Sequence, residues 1–397
     1  MESQETPATG QESSVRTNRR LGPIFAVVVV LGLAGVIFWW MGLGSYLAQR
    51  QEYASKTETF SGSSESLKET VIVPTLDTPC PPNKNVIWCS SFQLAWNEVR
   101  DKVIRAPLEV VGAEEAAARL NAAKQSSSDL DSKSFYAAGG RIKDGVINKI
   151  KKDMAVEFPS HILSNLAQYA QEPNGILAYS YLTASVPFHH PFQQAELVFG
   201  NSRGEKSDVE AFGVWSLLKR YDKIRRQVEV LYCGPGREKH RVKECVVDLC
   251  KDSRPYQVVV AMVEPKGSLA ETLEYIRLRA DEFKKDTGHE RESNLSRVDD
   301  LKVPEMLWRI DHHFSELIGC PVANANPPMP IVEAMQTLEF RLDRSGAVLN
   351  AQARFAVTAL PREFIFDRPF LIYMQKRGAE CPFFVMWVDN AELLTRR

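Results

Sequence analysis

The sequence predicts an α+β fold, in which one large domain of helices packed on several mainly antiparallel sheets follows a single transmembrane helix. Three features predict it: a long uncharged stretch near the N-terminus, helical periodicity early in the remaining chain, and strand-like runs later in it. Helices and strands do not alternate strictly, which argues against a doubly wound parallel sheet. The 397 residues include 49 Lys and Arg against 50 Asp and Glu. We therefore expect no nucleic-acid partner, because such binding needs a surplus of positive charge.

A membrane span is predicted at residues 24–43, where 20 consecutive residues carry no charge. A helix of this length crosses a hydrocarbon core of about 30 Å. Trp39 and Trp40 suit the membrane interface, whereas a cleaved signal peptide would have a shorter apolar region. Three arginines at 16–20 precede the span. The charge bias therefore predicts a cytoplasmic N-terminus and an extracytoplasmic C-terminal domain in a single-pass cell-membrane protein.

Composition divides the chain into four parts. Residues 1–20 form a polar cytoplasmic tail, and residues 21–47 contain the transmembrane helix. Residues 48–82 are rich in Ser, Thr and Glu and then in Pro, which is typical of a solvated stalk. Residues 83–397 are left as the folded domain.

Two helices have clear sequence signals. Phe92 and Trp96 lie four residues apart after Ser90, so an amphipathic helix is expected there. Ser268 and Glu271 have the spacing of a capping box, and an apolar face follows them. The first half of the domain is predicted to be mostly helical.

The second half of the domain is predicted to be mostly strands, because β-branched and aromatic runs recur there between turn-forming residues. Only Gly378-Ala379-Glu380 separates the last two runs, so they should form an antiparallel hairpin. Gly234-Pro235-Gly236 is interpreted as a turn. The predicted strand segments are GILAYSYLTASVPF, QVEVLYCG, HRVKECVVDLC, YQVVVAMVEP, AMQTLEFRLD, RPFLIYMQKR and CPFFVMWVDN.

The sequence contains no phosphate-binding loop, dinucleotide glycine fingerprint, HExxH or CxxC motif. We predict no enzymatic activity, no cofactor and no metal. The pairs His189-His190 and His312-His313 leave a metal site as a minor alternative, but neighbouring side chains on a strand point to opposite faces.

The seven cysteines are an odd number, placed in a domain where disulfides are chemically permitted. Cys245 and Cys250 should face opposite ways on a strand, which disfavours a bridge within that pair. We interpret the cysteines as buried thiols that act as small apolar residues.

The C-terminal segment AMQTLEFRLDRSGAVLNAQARFAVTALPREFIFDRPFLIYMQKRGAECPFFVMWVDN resembles the end of a serpin. It has a long strand that ends near a Gly, an exposed segment, a Phe-Asp-Arg-Pro-Phe sequence and a closing hairpin. NKNVIWCSSFQLAWNEV, LAYSYLTASVPFHHPF and LKVPEMLWRIDHHFSELIG resemble earlier parts of the family in the same order. The resemblance covers roughly residues 83–393. It implies one large domain with three sheets and, in the best-known members, inhibition of proteases by a cleaved loop that inserts into a sheet.

The loop of this chain departs from what insertion requires. The resemblance places the hinge at Gly346, Ala347 and Val348, where inhibitory members have an almost unbroken run of Ala, Gly and Thr. It places the bait bond at Arg354-Phe355, only eight residues after Gly346. At about 3.3 Å per extended residue, eight residues reach roughly 26 Å, too short a distance to carry a protease to the far pole of the domain.

The resemblance also implies altered packing where the sheet would open. Phe92 stands where the family usually has a small Ser, Gln336 where it has a His, and Phe188 where it has a Trp. A bulky Phe beneath the strands should raise the free energy needed to part them.

The leading interpretation is a membrane-anchored, extracytoplasmic serpin-like protein that acts as a non-inhibitory binding or structural module. Its partners would be the lipid bilayer and either a protease or another extracytoplasmic protein. The alternative is an inhibitor of serine-type proteases with a bait bond at Arg354-Phe355.

Overall fold

The computed structural model describes the C-terminal part of the chain. Contacts divide the chain into two units, Met1–Lys56 and Thr57–Arg397. The predicted span at 24–43 lies outside the described residues, and no helix within them is long and apolar enough to cross a membrane. The described residues are 58–131, 133–159, 166–184, 186, 188–215, 217–235, 237–238, 240–286, 292–344 and 361–397.

The described residues form strands and helices from Phe60 onward. The strands are β1 (Phe60–Ser63), β2 (Thr70–Ile72), β3 (Asn85–Cys89), β4 (Phe135–Arg141), β5 (Ile176–Ala184), β6 (Gln193–Gly200), β7 (Lys206–Val214), β8 (Glu229–Cys233), β9 (Arg237–Glu238), β10 (Arg241–Val242), β11 (Cys245–Asp248), β12 (Tyr256–Met262), β13 (Asp300–Pro304), β14 (Met306–His313), β15 (Pro321–Val322), β16 (Met329–Leu342), β17 (Glu363–Ile365), β18 (Phe370–Lys376) and β19 (Phe384–Val388). The α-helices are α1 (Ser90–Glu98), α2 (Glu114–Ala122), α3 (Val146–Glu157), α4 (Asp222–Gln227) and α5 (Leu269–Lys285).

The strands form three sheets of mixed direction. Sheet 1 has the order β1-β14-β16-β5-β4, and β15 also pairs with β16. Sheet 2 has the order β6-β7-β13-β17-β10-β9, and sheet 3 has the order β2-β3-β19-β18-β12-β11-β8. Most neighbours among the described strands are antiparallel, and the parallel pairs are β1–β14, β2–β3, β5–β16, β10–β17 and β13–β17. The expected α+β class with several sheets is confirmed.

The main core contains residues of all three sheets and of α1, whereas α5 and α3 cover other faces of the sheets. Strand β18 shows the division: Phe370 and Ile372 belong to the main core, and Leu371 and Tyr373 belong to a second cluster with Ile276 of α5. Side chains on a strand alternate between faces, so a strand that is apolar throughout is buried on both sides. Sheet 3 is therefore an inner layer of the domain.

All seven predicted strand segments contain strands, and the last two form the expected antiparallel hairpin. Helix α5 begins as predicted, because Ser268 Oγ accepts a hydrogen bond from Glu271 N at 3.2 Å. The first half of the domain is less helical than expected. It contains β4, β6 and β7, whose small or alternately polar residues give a weak strand signal in sequence.

The range predicted as a stalk, 48–82, includes two strands of the folded unit. β1 pairs with β14 at the edge of sheet 1, and β2 pairs with β3 at the edge of sheet 3. The Glu392 carboxylate holds the segment between them, since it accepts hydrogen bonds from Lys68 N (2.8 Å), Glu69 N (3.0 Å) and Thr70 Oγ1 (2.7 Å). Strand β14 and Glu392 are distant in sequence from this segment, so its polar composition did not indicate these contacts.

Asn85 connects β2 and β3 to the C-terminal segment. Its Nδ2 donates to Thr70 Oγ1 at 3.1 Å and to Asn390 Oδ1 at 2.9 Å. Its Oδ1 accepts from Asp389 N at 2.8 Å and from Asn390 N at 3.0 Å. The side chain is fully buried, so all its hydrogen bonds are made within the protein.

Replacing Asn85 with Ala should destabilise the domain. The change removes the hydrogen bonds above and leaves buried donors without partners, so the free energy of unfolding should fall by about 2–4 kcal/mol. Urea denaturation measures the effect. Asn148→Ala is the matched control, because Asn148 is exposed on α3 and Ala favours a helix. A loss as small as that of the control would contradict the role given to Asn85.

Candidate functional site

The candidate site is the seam between β5 and β16, together with the loop that follows β16. The two strands pair in parallel from Ile176 and Ile331 to Ala184 and Phe340. An inserted strand would have to separate them. The predicted hinge Gly346, Ala347 and Val348 and the predicted bait bond Arg354-Phe355 lie outside the described residues, so their placement stays a prediction.

Two aromatic rings fill the space beneath the seam. Phe92 of α1 is buried, and its ring lies against that of Phe314, with 4.0 Å between the centroids. Phe314 follows β14 and is itself fully buried. The side chain at position 92 therefore lies in a closely packed interior, where substitutions that change volume carry a free-energy cost.

Three paired residues of neighbouring strands form a polar row across the otherwise apolar inner face of sheet 1. Gln336 of β16 pairs with Ser180 of β5 on one side and with His312 of β14 on the other. Its Nε2 donates to Ser91 Oγ of α1 at 2.8 Å, and Ser91 Oγ donates to Ser180 Oγ at 3.5 Å. Gln336 and Ser91 therefore connect helix α1 to both strands of the seam.

His312 ends the polar row next to the N-terminal segment. Its Nδ1 lies 2.7 Å from Ser64 Oγ, and its ring meets the ring of Phe314 edge-on at 4.5 Å. Burial, together with the neighbouring His313, lowers the pKa of His312 to about 4. The ring is therefore neutral at pH 7. Ser64 and His312 resemble a nucleophile and its base, but a histidine with so low a pKa is a weak base.

The histidine pairs do not form a metal site in the described part of the chain, where no group of His, Cys, Asp and Glu could hold an ion. His313 contacts a different set of groups from His312: its Nδ1 lies 3.0 Å from Glu333 Oε1, and Glu333 raises its pKa. His189 and His190 lie in a bend after β5, with their ring centroids 6.4 Å apart.

An aromatic cluster closes the end of the seam from which the loop leaves. Phe188 packs edge-on against Phe192 at 4.9 Å, and both rings contact Phe212 of β7. Phe192 N donates to the carbonyl of Arg344 at 3.1 Å. Arg344 is the last described residue before the loop, so this hydrogen bond positions the start of the loop against the cluster.

Arg362 fixes the other end of the loop, and the sequence analysis did not identify it. Its guanidinium donates to Asp299 Oδ2 at 2.7 Å and to the carbonyls of Glu292 and Asn294 at 2.8 and 2.7 Å. Arg362 N also donates to Asp299 Oδ1 at 2.9 Å. Arg362 and Asp299 are both buried. The sequence gives no local signal for this anchor, because Arg362 and Asp299 are far apart in the chain.

Comparisons with known proteins relate the fold to solved structures. No protein-family model and no curated protein matches the sequence. Native protease nexin-1 with heparin is similar at 10% identity over 78% of this chain and 93% of that chain, with a TM-score of 0.44. The mouse protein-Z dependent protease inhibitor is similar at 10% identity over 77% of this chain and 91% of that chain, with a TM-score of 0.47.

Serpin48 from the insect Tenebrio molitor is similar at 11% identity over 77% of this chain and 92% of that chain, with a TM-score of 0.44. These likenesses are to a serpin-like α+β fold with mixed sheets.

The half-buried His312 should make the domain less stable in acid. The unfolded chain takes up the proton near pH 6.5 and the folded chain only near pH 4, so stability is lost as the pH falls through this range. The expected loss due to His312 is about 3 kcal/mol at pH 4. The measurement is the free energy of unfolding of the wild type and of His312→Asn at several pH values between 7 and 4.

His313→Asn is the control for this measurement, because the pKa of His313 is raised and not lowered. Its stabilising contribution is present in acid and lost as the pH rises through its folded-state pKa. A constant difference between wild type and His312→Asn from pH 7 to 4 would show that His312 is not the sensitive group.

Proposed function

We propose that this protein is a membrane-anchored serpin-like module that acts outside the membrane in binding or structural support, without inhibiting proteases by loop insertion. The observation that carries the proposal is the packing beneath the β5–β16 seam. Phe92 and Phe314 fill the space there, and Gln336 is held by Ser91. Separating the strands would break a buried polar contact and disturb two buried rings.

The length of the loop supports a non-inserting role. If the bait bond is Arg354-Phe355, the inserted part would be the eight residues 347–354 that follow Gly346, which extend over roughly 26 Å. The pairing of β5 with β16 runs through Ile176–Ala184, nine residues of β5. The segment would therefore be shorter than the strand beside which it would have to lie.

The anchoring of the loop ends gives further support. The start of the loop follows β16 of sheet 1, and its end precedes β17 of sheet 2. Arg362 holds that end through a buried ion pair with Asp299, and breaking such a pair on one side costs about 3–5 kcal/mol. Any loop movement that displaced Arg362 would require this free energy.

Membrane attachment is supported by the uncharged stretch at 24–43 and by the arginines that precede it. The outer domain has no strong net charge, since residues 51–397 carry 45 Lys and Arg against 47 Asp and Glu. Electrostatic attraction to anionic lipid would therefore contribute little, and the predicted helix would provide the attachment.

Cleavage of the loop should leave thermal stability unchanged. Arg354 is the only Lys or Arg in the sequence between residues 345 and 360, so trypsin has one bond to cut there. We expect cleavage as an ordinary substrate, full retention of trypsin activity and a midpoint of thermal unfolding equal to that of the intact chain. Arg354→Ala should resist the cut and serves as the matched control. A large rise in the midpoint, or a trypsin complex that survives SDS, would instead support the inhibitor alternative.

Membrane attachment has a separate test. The full chain should stay with the membrane fraction after an alkaline carbonate wash, and a variant lacking residues 24–43 should be released. A protease added outside intact cells should cut the full chain at Arg354. Release of the full chain by the wash would contradict the predicted span, and protection from the added protease would contradict the predicted orientation.

A further inference from the structure

Two cysteines face each other at the end of sheet 3. In the antiparallel pair β8–β11, Cys233 lies directly opposite Cys245. The next pair outward is hydrogen-bonded, because Gly234 N donates to the carbonyl of Glu244 at 2.8 Å. Hydrogen-bonded and non-hydrogen-bonded pairs alternate along an antiparallel ladder, so Cys233 and Cys245 form a non-hydrogen-bonded pair.

This position suits a disulfide bond. The Cα atoms of a non-hydrogen-bonded pair are about 4.5 Å apart and their side chains are close, whereas disulfides span Cα distances of roughly 4.4 to 6.8 Å. Directly opposite residues project from the same face of the sheet. Both side chains are buried, and both are present as thiols in the structure.

Cys233 and Cys245 flank an excursion of the chain, that is, a short segment that leaves sheet 3 and returns to it. Residues 234–244 leave sheet 3, form β9 and β10 in sheet 2, and return. Strand β10 pairs with β17 at Arg241 and Glu363, and Glu363 N donates to the carbonyl of His240 at 2.9 Å. The excursion therefore supports the strand that directly follows the loop.

We propose that Cys233 and Cys245 form a cross-strand disulfide when the domain folds in the presence of a disulfide oxidant. In a cell the bond depends on the extracytoplasmic location proposed above, since thiols persist in a reducing cytosol. The disulfide would join the two ends of the excursion and so hold β10 against β17. The other cysteines would remain thiols.

The chemistry is thiol–disulfide exchange. The thiolate of one cysteine attacks the disulfide of the oxidant, which is glutathione disulfide or a protein disulfide, and releases one thiol. The second cysteine then attacks the mixed disulfide and releases the other thiol. Two cysteine thiols are oxidised and one oxidant disulfide is reduced. Burial raises the pKa of Cys245, so few thiolates form in the folded domain, and exchange should occur before β8 and β11 are buried.

The experiment is synthesis of the full chain in a cell-free system with detergent, a glutathione and glutathione disulfide buffer and a disulfide isomerase. Remaining thiols are blocked with N-ethylmaleimide in denaturant before digestion with trypsin. Mass spectrometry should find residues 227–237, which contain Cys233, linked to residues 244–251. The second peptide contains both Cys245 and Cys250, so fragment ions must assign the link to Cys245.

Variants separate the bond from packing. Cys250→Ala changes the same tryptic peptide and should keep the link, whereas Cys233→Ala and Cys245→Ala should each abolish it. The oxidised wild type and Cys250→Ala should lose about 4 °C of thermal midpoint on reduction, and the other two variants should lose none. The double variant should be about as stable as either single variant, because each already lacks the bond.

Alkylation of both cysteines after oxidising synthesis would overturn the proposal, as would a link from Cys233 to any other cysteine. The same digest of protein taken from native membranes tests the location separately. A bond found in cell-free synthesis but not in native membranes would support the disulfide and contradict the proposed extracytoplasmic location.

Discussion

The parallel pairing of β5 with β16 is the constraint on which the rest of the domain depends. Parallel strands cannot be joined by a tight turn, and here strands β6 to β15 lie between them in the chain. β14 and β1 extend sheet 1 on one side of the pair, and β4 extends it on the other. Beneath the pair, the Phe92–Phe314 contact fills the apolar space. Loss of this pairing would disturb contacts made by distant parts of the chain.

The loop after β16 joins two sheets whose attachments to it differ. At its start, the carbonyl of Arg344 accepts one backbone hydrogen bond from Phe192. At its end, Arg362 makes a buried ion pair with Asp299 and donates to two carbonyls. A buried guanidinium that lost these acceptors would be desolvated without compensation, so this end resists displacement.

Local sequence signals predicted the elements that local chemistry determines. The Ser268 cap of α5 and the final hairpin follow from side chains a few residues apart. The family resemblance predicted altered packing at Phe92 and Gln336. Three features have no local signal. Strand β1 and the segment before β2 depend on partners hundreds of residues away, the Ser64–His312 contact joins the N-terminal segment to one end of the polar row, and Arg362 needs Asp299. Long-range pairs of this kind cannot be read from composition or periodicity.

The position of the N-terminal strands bears on how an attached domain would respond to tension. The described chain begins beside β1, which is the outer strand of sheet 1 and pairs only with β14 among the described strands. A pull on this end would first strain the β1–β14 hydrogen bonds and the Ser64–His312 contact. The segment after β1 is held by Glu392 and by pairing of β2 with sheet 3. Tension would therefore be shared between the edges of two sheets, and β14 separates β1 from the β5–β16 pair.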